Sequence, residues 1–420
     1  MSAGDITHPR QFHRLWGSAA ASNGADGLAM FAGPLLAAAL TRDPVLIATL
    51  AVTQQLPWLL FPLISGAIVD RLDRRRVMAA VQLTRVGLIG GLGVVVALDA
   101  ASLPLLYAVF FLVGVAETVF DPASVTVLPT IVRRADLPRA NARLAGTMTV
   151  MNQFTGPPLG GLLFGLAAAT PFLVAGSLYA AAAAGVLALR GSFRQTGDGS
   201  RPTPRRLATE IGEGVRWLVA HRFLRTLAIT IGVMNVTMGG ILAIMVLVAY
   251  DRLGLTAFQF GLFNIAYASG GVIAALLAHR VIQRFGSAAI LRWGLVLEIL
   301  TWVVFGVSAN VWVVGAVWAA FGFHAIAWGT VSVTVRQTLV PSALLGRVTS
   351  AYMTIAVGGS AIGALIGGLL VSGIGLTAPF WFAVVLDTAV LGWAWRTLGR
   401  VPVELDESPA EVSNSAREQS

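Results

Sequence analysis

Apolar runs of about twenty or more residues recur along the whole chain of 420 residues. The runs are continuous and show no alternation of apolar and polar residues, so they predict helices rather than barrel strands. Only helices and closed barrels satisfy the backbone hydrogen-bonding groups inside lipid. The chain is 56% hydrophobic and 12% charged, whereas soluble domains are about 45–50% apolar and about 25% charged. The sequence therefore predicts an all-α integral membrane protein.

Twelve such runs are long enough to cross a bilayer. We place the spans at residues 15–40, 45–69, 77–98, 103–128, 140–166, 171–190, 223–249, 257–279, 288–308, 311–335, 348–373 and 377–398. All 29 basic residues are Arg. With cytoplasmic N- and C-termini, every Arg except Arg42 and Arg252 falls on the cytoplasmic side, as the positive-inside rule requires. The even number of transmembrane helices and this orientation therefore support each other.

The predicted spans form two six-helix bundles, residues 1–190 and 223–400. Residues 191–222 form a cytoplasmic linker that opens with Gly, Ser, Pro and Arg, a loop composition. Four apolar residues in the linker have helical spacing: Leu207, Ile211, Val215 and Leu218. They predict an amphipathic helix on the membrane surface, with a partly helical linker as the alternative. Residues 401–420 are polar and predicted to be a disordered cytoplasmic tail.

The loop at residues 66–78 holds the densest charge cluster between two spans. Its charged residues are Asp70, Arg71, Asp73, Arg74, Arg75 and Arg76. Such a cluster must lie in water, so it fixes the position of a short loop. One interpretation is that the charges only determine topology. The other is that particular residues form a gate.

This loop resembles the one between helices 2 and 3 of major facilitator superfamily transporters, roughly Gly-x-x-x-Asp-Arg-x-Gly-Arg-Arg. Gly66, Asp70, Arg71 and Arg74 match that pattern, whereas Asp73 stands where the pattern has Gly. The Asp73 variant is similar to the branch that holds the enterobactin exporter and the macrolide efflux proteins. Further matches to that branch are Phe12-His13-Arg14-Leu15-Trp16, Gly24-Ala25-Asp26-Gly27, Leu137-Pro138-Arg139-Ala140-Asn141-Ala142, Arg336-Gln337-Thr338-Leu339-Val340-Pro341 and Gly346-Arg347-Val348.

The resemblance implies the major facilitator fold and export of siderophores, antibiotics or other amphipathic small molecules, usually driven by protons. It also implies a cytoplasmic gate in which Asp70 reaches Arg347, with Gly66, Arg71, Asp73 and Arg74 in the same loop. In the fifth span, Gly156, Pro157, Gly160 and Gly161 match the end of a Gly-rich motif that marks antiporters, whereas Asn152 occupies one expected Gly position. The alternative is that these small residues only let helices pack closely.

Ionisable residues inside the spans are candidates for proton or substrate binding, because a charge in lipid is costly unless it is buried or solvated. Asp26 lies midway along the first span, next to Gly24 and Gly27. Glu117 and Asp121 lie four residues apart on the fourth span and therefore share a helix face. The alternative for Asp26 is a carboxylate satisfied by packing hydrogen bonds, and the alternative for Asp121 is a partner for a cytoplasmic Arg.

Weaker candidates lie on other spans. His324 on the tenth span has a side chain that titrates near physiological pH, although a lone His is more often a packed hydrogen-bonding residue. Glu298 and Asp387 lie on the ninth and twelfth spans, which the resemblance places outside the bundle core. Amides must find partners in lipid, so Asn152 and Asn235 are candidates for contact with substrate.

The composition and the motifs argue against several other functions. The chain has no Cys, which excludes disulfides and thiol nucleophiles, and without Lys it cannot hold a phosphate-binding loop ending in Gly-Lys-Ser or Gly-Lys-Thr. The net charge of +9 lies in short loops and is explained by topology, so nucleic acid is not an expected partner. We expect no cofactor, no metal and no enzymatic activity. We expect a monomer in the bacterial inner membrane whose partners are protons, lipid and a small-molecule substrate.

The leading hypothesis is a secondary exporter that works by alternating access and proton antiport, which includes multidrug efflux. A second hypothesis keeps the fold but assigns uptake or facilitated transport of a metabolite or lipid. A third is a receptor or enzyme of the same fold that has lost transport.

Overall fold

The computed structural model describes residues 9–61, 65, 72–189 and 204–400. These ranges are helical and contain no strand. The helices are α1 Pro9–Leu40, α2 Pro44–Leu60, α3 Arg74–Ala97, α4 Leu103–Ile131, α5 at residues 137–166, α6 Thr170–Leu187, α7 Pro204–Ala220, α8 Arg222–Arg252, α9 Ala257–Phe285, α10 Ser287–Val307, α11 Val311–Leu339, α12 Ser342–Gly373 and α13 Ala378–Leu398.

Within the described ranges, nine helices are long and apolar enough to cross a membrane: α3, α4, α6 and α8 to α13. The predicted spans 15–40 and 140–166 fall on α1 and α5, and α2 covers residues 45–60 of the predicted span 45–69, of which residues 62–64 and 66–69 lie outside the described ranges. These three helices are outside this set. Polar residues such as Asp26 lower the hydropathy of α1, and α2 is a shorter apolar helix of 17 residues. The all-helical class is confirmed. The count of twelve spans and the cytoplasmic termini stay predictions.

Three helices in the described part of the chain contain a π-helical turn. The turns lie at Val86–Gly90 in α3, Val150–Thr155 in α5 and Val248–Arg252 in α8. A π turn inserts one extra residue into the helix and is frequent at functional sites. The turn in α3 directly follows Arg85, and the turn in α5 contains Asn152.

Asp73 begins α3 and acts as its N-cap. Its Oδ1 accepts hydrogen bonds from the backbone N–H of Arg75 at 3.0 Å and of Arg76 at 3.3 Å. A side-chain N-cap of this kind stabilises a helix by about 1 kcal/mol. Asp73, which stands where the family pattern has Gly, therefore has a local structural role as the cap of α3.

Contacts divide the chain into two compact units. The first unit comprises Met1–Ser200, Leu242–Ile265 and Ala364–Leu376, and the second comprises Arg201–Ile241, Ala266–Gly363 and Thr377–Ser420. In the first unit α1 packs against α5 and α6, and α4 packs against α2 and α3. In the second, α10 packs against α11 and α13. The boundaries of the two predicted six-helix bundles stay a prediction.

Glycines allow close helix crossings in the first unit. A Cβ atom added to Gly156 on α5 would lie 2.6 Å from the backbone of Gly27 on α1. A Cβ on Gly161 would overlap the backbone of Ala257 at the start of α9, and one on Gly261 would overlap Pro157. The Gly-rich motif of α5 is therefore a packing surface for two other helices.

The first unit also joins segments that are distant in sequence. Arg42 and Asp251 form an exposed ion pair at 3.4 Å. Ala48 on α2, Ala243 on α8 and Ala364 on α12 belong to one buried cluster. These contacts bring the ends of α8 and α12 against the N-terminal helices within the same unit.

Candidate substrate and proton site

The first unit contains a cavity of about 860 Å³. Polar side chains from α1, α3, α4 and α5 line it, and they include Asp26, Arg85, Glu117, Asp121 and Asn152. Four of these five were predicted from the sequence as candidates for proton or substrate binding. The cavity volume falls within the range of about 300–1,000 Å³ that is common for small-molecule sites.

Asp26 connects three helices at this cavity. Tyr179 on α6 donates a hydrogen bond from its hydroxyl to Asp26 Oδ1 at 2.6 Å. Arg85 Nη1 on α3 lies 3.5 Å from the same oxygen. The Asp26 side chain is 18% exposed, and the exposure is toward the cavity that it lines. Asp26 therefore has two polar partners and an exposed edge at the cavity.

Arg85 is the buried cation of this site. Its side chain is 1% exposed, and its Cζ lies 5.2 Å from the ring centre of Phe120 and 5.6 Å from that of Tyr179. Its Nε and Nη2 atoms have no hydrogen-bond partner among the described residues. A buried charge is stable only when it is paired, so Arg85 depends on a nearby carboxylate and has donors left over for a second one.

Glu117 and Asp121 lie on the same face of α4 and line the same cavity, as their spacing predicts. Asp121 is the more exposed of the two. Asp26, Glu117 and Asp121 thus place three carboxylates opposite one guanidinium group. Asn152 adds a buried carbonyl oxygen without a partner among the described residues. The arrangement can bind protons, and it can bind hydrogen-bond donors or cations of a substrate.

The other two predicted binding residues lie in the second unit. Asn235 lines a cavity of about 280 Å³ there, and its amide donates to the carbonyl oxygen of Ile231 at 2.9 Å.

His324 is buried, and its Nε2 lies 3.2 Å from Oε2 of the buried Glu298. Asp387 is also buried and accepts a hydrogen bond from Thr237 at 3.3 Å. His324 is therefore packed and hydrogen-bonded, and Glu298 rather than His324 reaches the cavity.

The predicted gate is only partly described. Gly66, Asp70 and Arg71 lie outside the described residues. Arg74 is buried at the start of α3. Arg347 on α12 forms an ion pair with Glu213 on α7. The pairing of Asp70 with Arg347 stays a prediction.

Comparison with known proteins decides the family. The family described as transmembrane secretion effector, within the major facilitator superfamily, matches residues 7–414. This chain belongs to that family. It is 27% identical over 324 residues to the enterobactin exporter EntS of Escherichia coli O1:K1, which covers 73% of this chain and 72% of the exporter.

Solved structures show the same fold at low sequence identity. A mutant of the nucleoside transporter NupG superposes with a TM-score of 0.76 at 11% identity, covering 92% of this chain and 99% of that protein. A bacterial homologue of the human lysosomal transporter Spinster, in an inward-facing and unoccupied conformation, superposes with a TM-score of 0.72 at 14% identity. The latter match covers 95% of this chain and 98% of the homologue. The family match and the exporter relative identify this chain as a multi-pass membrane transporter, not an enzyme.

Sequence reasoning missed two residues that contact Asp26 beside the first cavity. Arg85 and Tyr179 contact Asp26, yet neither was a predicted site residue. Arg85 had a usable signal, since a charge inside the predicted span 77–98 needs a partner. Tyr179 had none, because tyrosine is common in membrane helices and its partner is 153 residues away in the sequence.

Proposed function

We propose that this transporter exports an amphipathic small molecule by alternating access and that proton influx drives the export. The observation that carries the proposal is the first cavity, where Asp26, Glu117, Asp121 and Arg85 meet. Similarity to an enterobactin exporter supports the export direction. We place the protein in the inner membrane of a bacterium, as a monomer.

Proton coupling follows from competition for Arg85. When Asp26 is ionised, it pairs with Arg85 and accepts the Tyr179 hydroxyl. When Asp26 binds a proton, the ion pair weakens and Arg85 is left with unpaired buried donors. Arg85 then pairs with Glu117 or Asp121, which line the same cavity. Each proton therefore changes the charge pattern that a substrate meets, which links protonation to substrate affinity.

The cavity suits an amphipathic substrate because both polar and apolar side chains line it. Trp58, Phe120, Met78 and Met148 line it alongside the charged residues. Methionine and aromatic side chains adapt to irregular apolar surfaces. The class that we propose includes drugs, antibiotics and siderophores.

The proposal is tested with purified protein in liposomes and a panel of dyes, antibiotics and siderophores. Wild-type protein should move at least one compound, and its rate should depend on the pH gradient. The variant Asp26→Asn keeps the shape of the side chain but cannot be ionised. It should fold, bind substrate and lose the response to the pH gradient. Transport by Asp26→Asn with the full pH dependence of the wild type would exclude this role.

Uptake or facilitated transport of a metabolite or lipid is the second candidate. Asn152 in place of a motif glycine favours it, because the antiporter motif of α5 is incomplete. Comparing right-side-out with inverted vesicles separates the two. Energy-dependent accumulation of the compound in inverted vesicles supports export, and accumulation in right-side-out vesicles supports uptake.

A further inference from the structure

The second unit holds its own cavity of about 280 Å³, and most of its lining is apolar. Aromatic and methionine side chains form the walls, namely Phe321, Trp328, Met234, Met238 and Met353. The polar lining includes Arg336, Tyr352 and Ser332. A mostly apolar pocket with a few converging polar groups is the usual form of a small-molecule site.

Arg336 is fixed in position at this cavity. It is 3% exposed, and its Cζ lies 3.8 Å from the centre of the Tyr352 ring. Its Nη1 donates to Ser332 Oγ at 3.1 Å, and Ser332 Oγ lies 2.7 Å from the Tyr352 hydroxyl. Stacking and hydrogen bonding hold the planar group in one orientation, so its remaining donors are preorganised.

The charge of Arg336 has no acidic partner among the described residues, since no described carboxylate lies within ion-pair distance of it. Glu298 lines the same cavity but is paired with His324 at 3.2 Å. A carboxylate and an imidazole that share one proton are neutral together. The cavity therefore carries a buried positive charge, which costs free energy until an anion compensates it.

We propose that this cavity binds the acidic group of an amphipathic substrate, with a carboxylate, sulfonate or phosphate on Arg336 and an adjacent aromatic ring against the apolar walls. A guanidinium group binds such anions through two parallel hydrogen bonds. The small volume suits one end of a substrate. This proposal adds a substrate class to the proposed export function. Its role in transport rests on that function.

The test measures binding to the full-length protein in lipid nanodiscs by calorimetry. Three matched probes share one ring system: 2-naphthoate is an anion, 2-naphthamide is neutral and 2-naphthylmethylammonium is a cation. Wild-type protein should bind 2-naphthoate at least about tenfold more tightly than the other two, because one charge-assisted contact is worth more than 1.4 kcal/mol. Equal binding of the three probes, or no binding of 2-naphthoate, would overturn the proposal.

Variants locate the site. Arg336→Gln should remove the preference for 2-naphthoate, whereas Arg336→Lys should keep the preference with weaker binding because the charge remains. Arg292→Gln is the matched control, since Arg292 also stacks on an aromatic ring, that of Trp395 at 4.8 Å, and does not line the cavity. An unchanged preference in Arg336→Gln, or an equal loss in Arg292→Gln, would contradict the assignment. No gradient is applied, so the result is independent of transport direction and proton coupling.

Discussion

Asp26, Arg85 and Tyr179 show how far single residues can be interpreted from sequence. Asp26 was predictable because a carboxylate in an apolar span must have a polar environment. Its partners Arg85 and Tyr179 were not predictable, because their contact with Asp26 depends on how α3 and α6 are rotated about their axes. Arg85 was counted with the topology-determining arginines, and the structure instead buries it against Asp26. A charged residue in a predicted span therefore identifies a site, but it does not identify the residues that it contacts there.

Removing the Tyr179 hydroxyl tests that network. Tyr179→Phe keeps the ring next to Arg85 but removes the hydrogen bond to Asp26. Because the Asp26 carboxylate then keeps one donor instead of two, we expect the pH profile of transport to change. Initial rates in proteoliposomes across a pH series measure the change. Tyr107→Phe is the control, since Tyr107 bonds to the Leu46 carbonyl oxygen outside the cavity; equal pH profiles for the wild type and Tyr179→Phe would contradict the assignment.

The ion pair of Arg85 and Asp26 makes a second prediction. Arg85→Met leaves the Asp26 carboxylate without its cation, so it should lower the thermal unfolding temperature. Adding Asp26→Asn removes the unpaired charge and should recover part of the loss, with a coupling free energy of about 0.5–3 kcal/mol. Thermal unfolding of the two single variants and the double variant in detergent measures the coupling. Additive effects would show that the two side chains do not interact.

At the scale of helices, sequence predicted most positions but not their irregularities. The tenth predicted span, 311–335, lies within α11 Val311–Leu339, since a continuous apolar run has few alternative structures in lipid. The π turns in α3 and α5 were not predicted, because one extra residue leaves the apolar pattern almost unchanged. Those turns lie beside Arg85 and Asn152, where the helices meet the cavity.

The crossing of α1 and α5 is testable with one methyl group. Gly156→Ala would place a Cβ 2.6 Å from the Gly27 backbone, so the helices must separate. We expect a lower unfolding temperature and reduced transport, with destabilisation of about 1–3 kcal/mol from overpacking. Gly165→Ala on the same helix is the matched control, because a Cβ there meets nothing within 4 Å. Similar behaviour of the two variants would rule out close packing as the role of Gly156.

At the scale of the whole molecule, the family is established, and transport by alternating movement is a prediction that crosslinking can test. Ala48 on α2 and Ala364 on α12 share a buried cluster in the first unit. The chain has no Cys, so Ala48→Cys with Ala364→Cys adds the only thiols. We expect an oxidant to join them and to reduce transport by about tenfold or more, because alternating access would require these helix ends to separate.

A reducing agent should restore the activity of the crosslinked protein, and each single cysteine variant should be insensitive to oxidant. Full transport by the crosslinked protein would show that these helix ends do not separate during the cycle. Labelling of single cysteines from each side of the membrane tests the number of spans and the boundaries of the two bundles.

The coupling of proton influx to substrate export is tested most directly by recording lumenal pH in proteoliposomes during substrate efflux. The liposomes contain a pH-sensitive dye and the most strongly transported compound of the screen. With wild-type protein, an outward substrate gradient should acidify the lumen, because protons move inward as substrate leaves. With Asp26→Asn, substrate efflux should occur without acidification. Equal acidification by Asp26→Asn, or none by the wild type during rapid efflux, would contradict proton coupling at the Asp26 site.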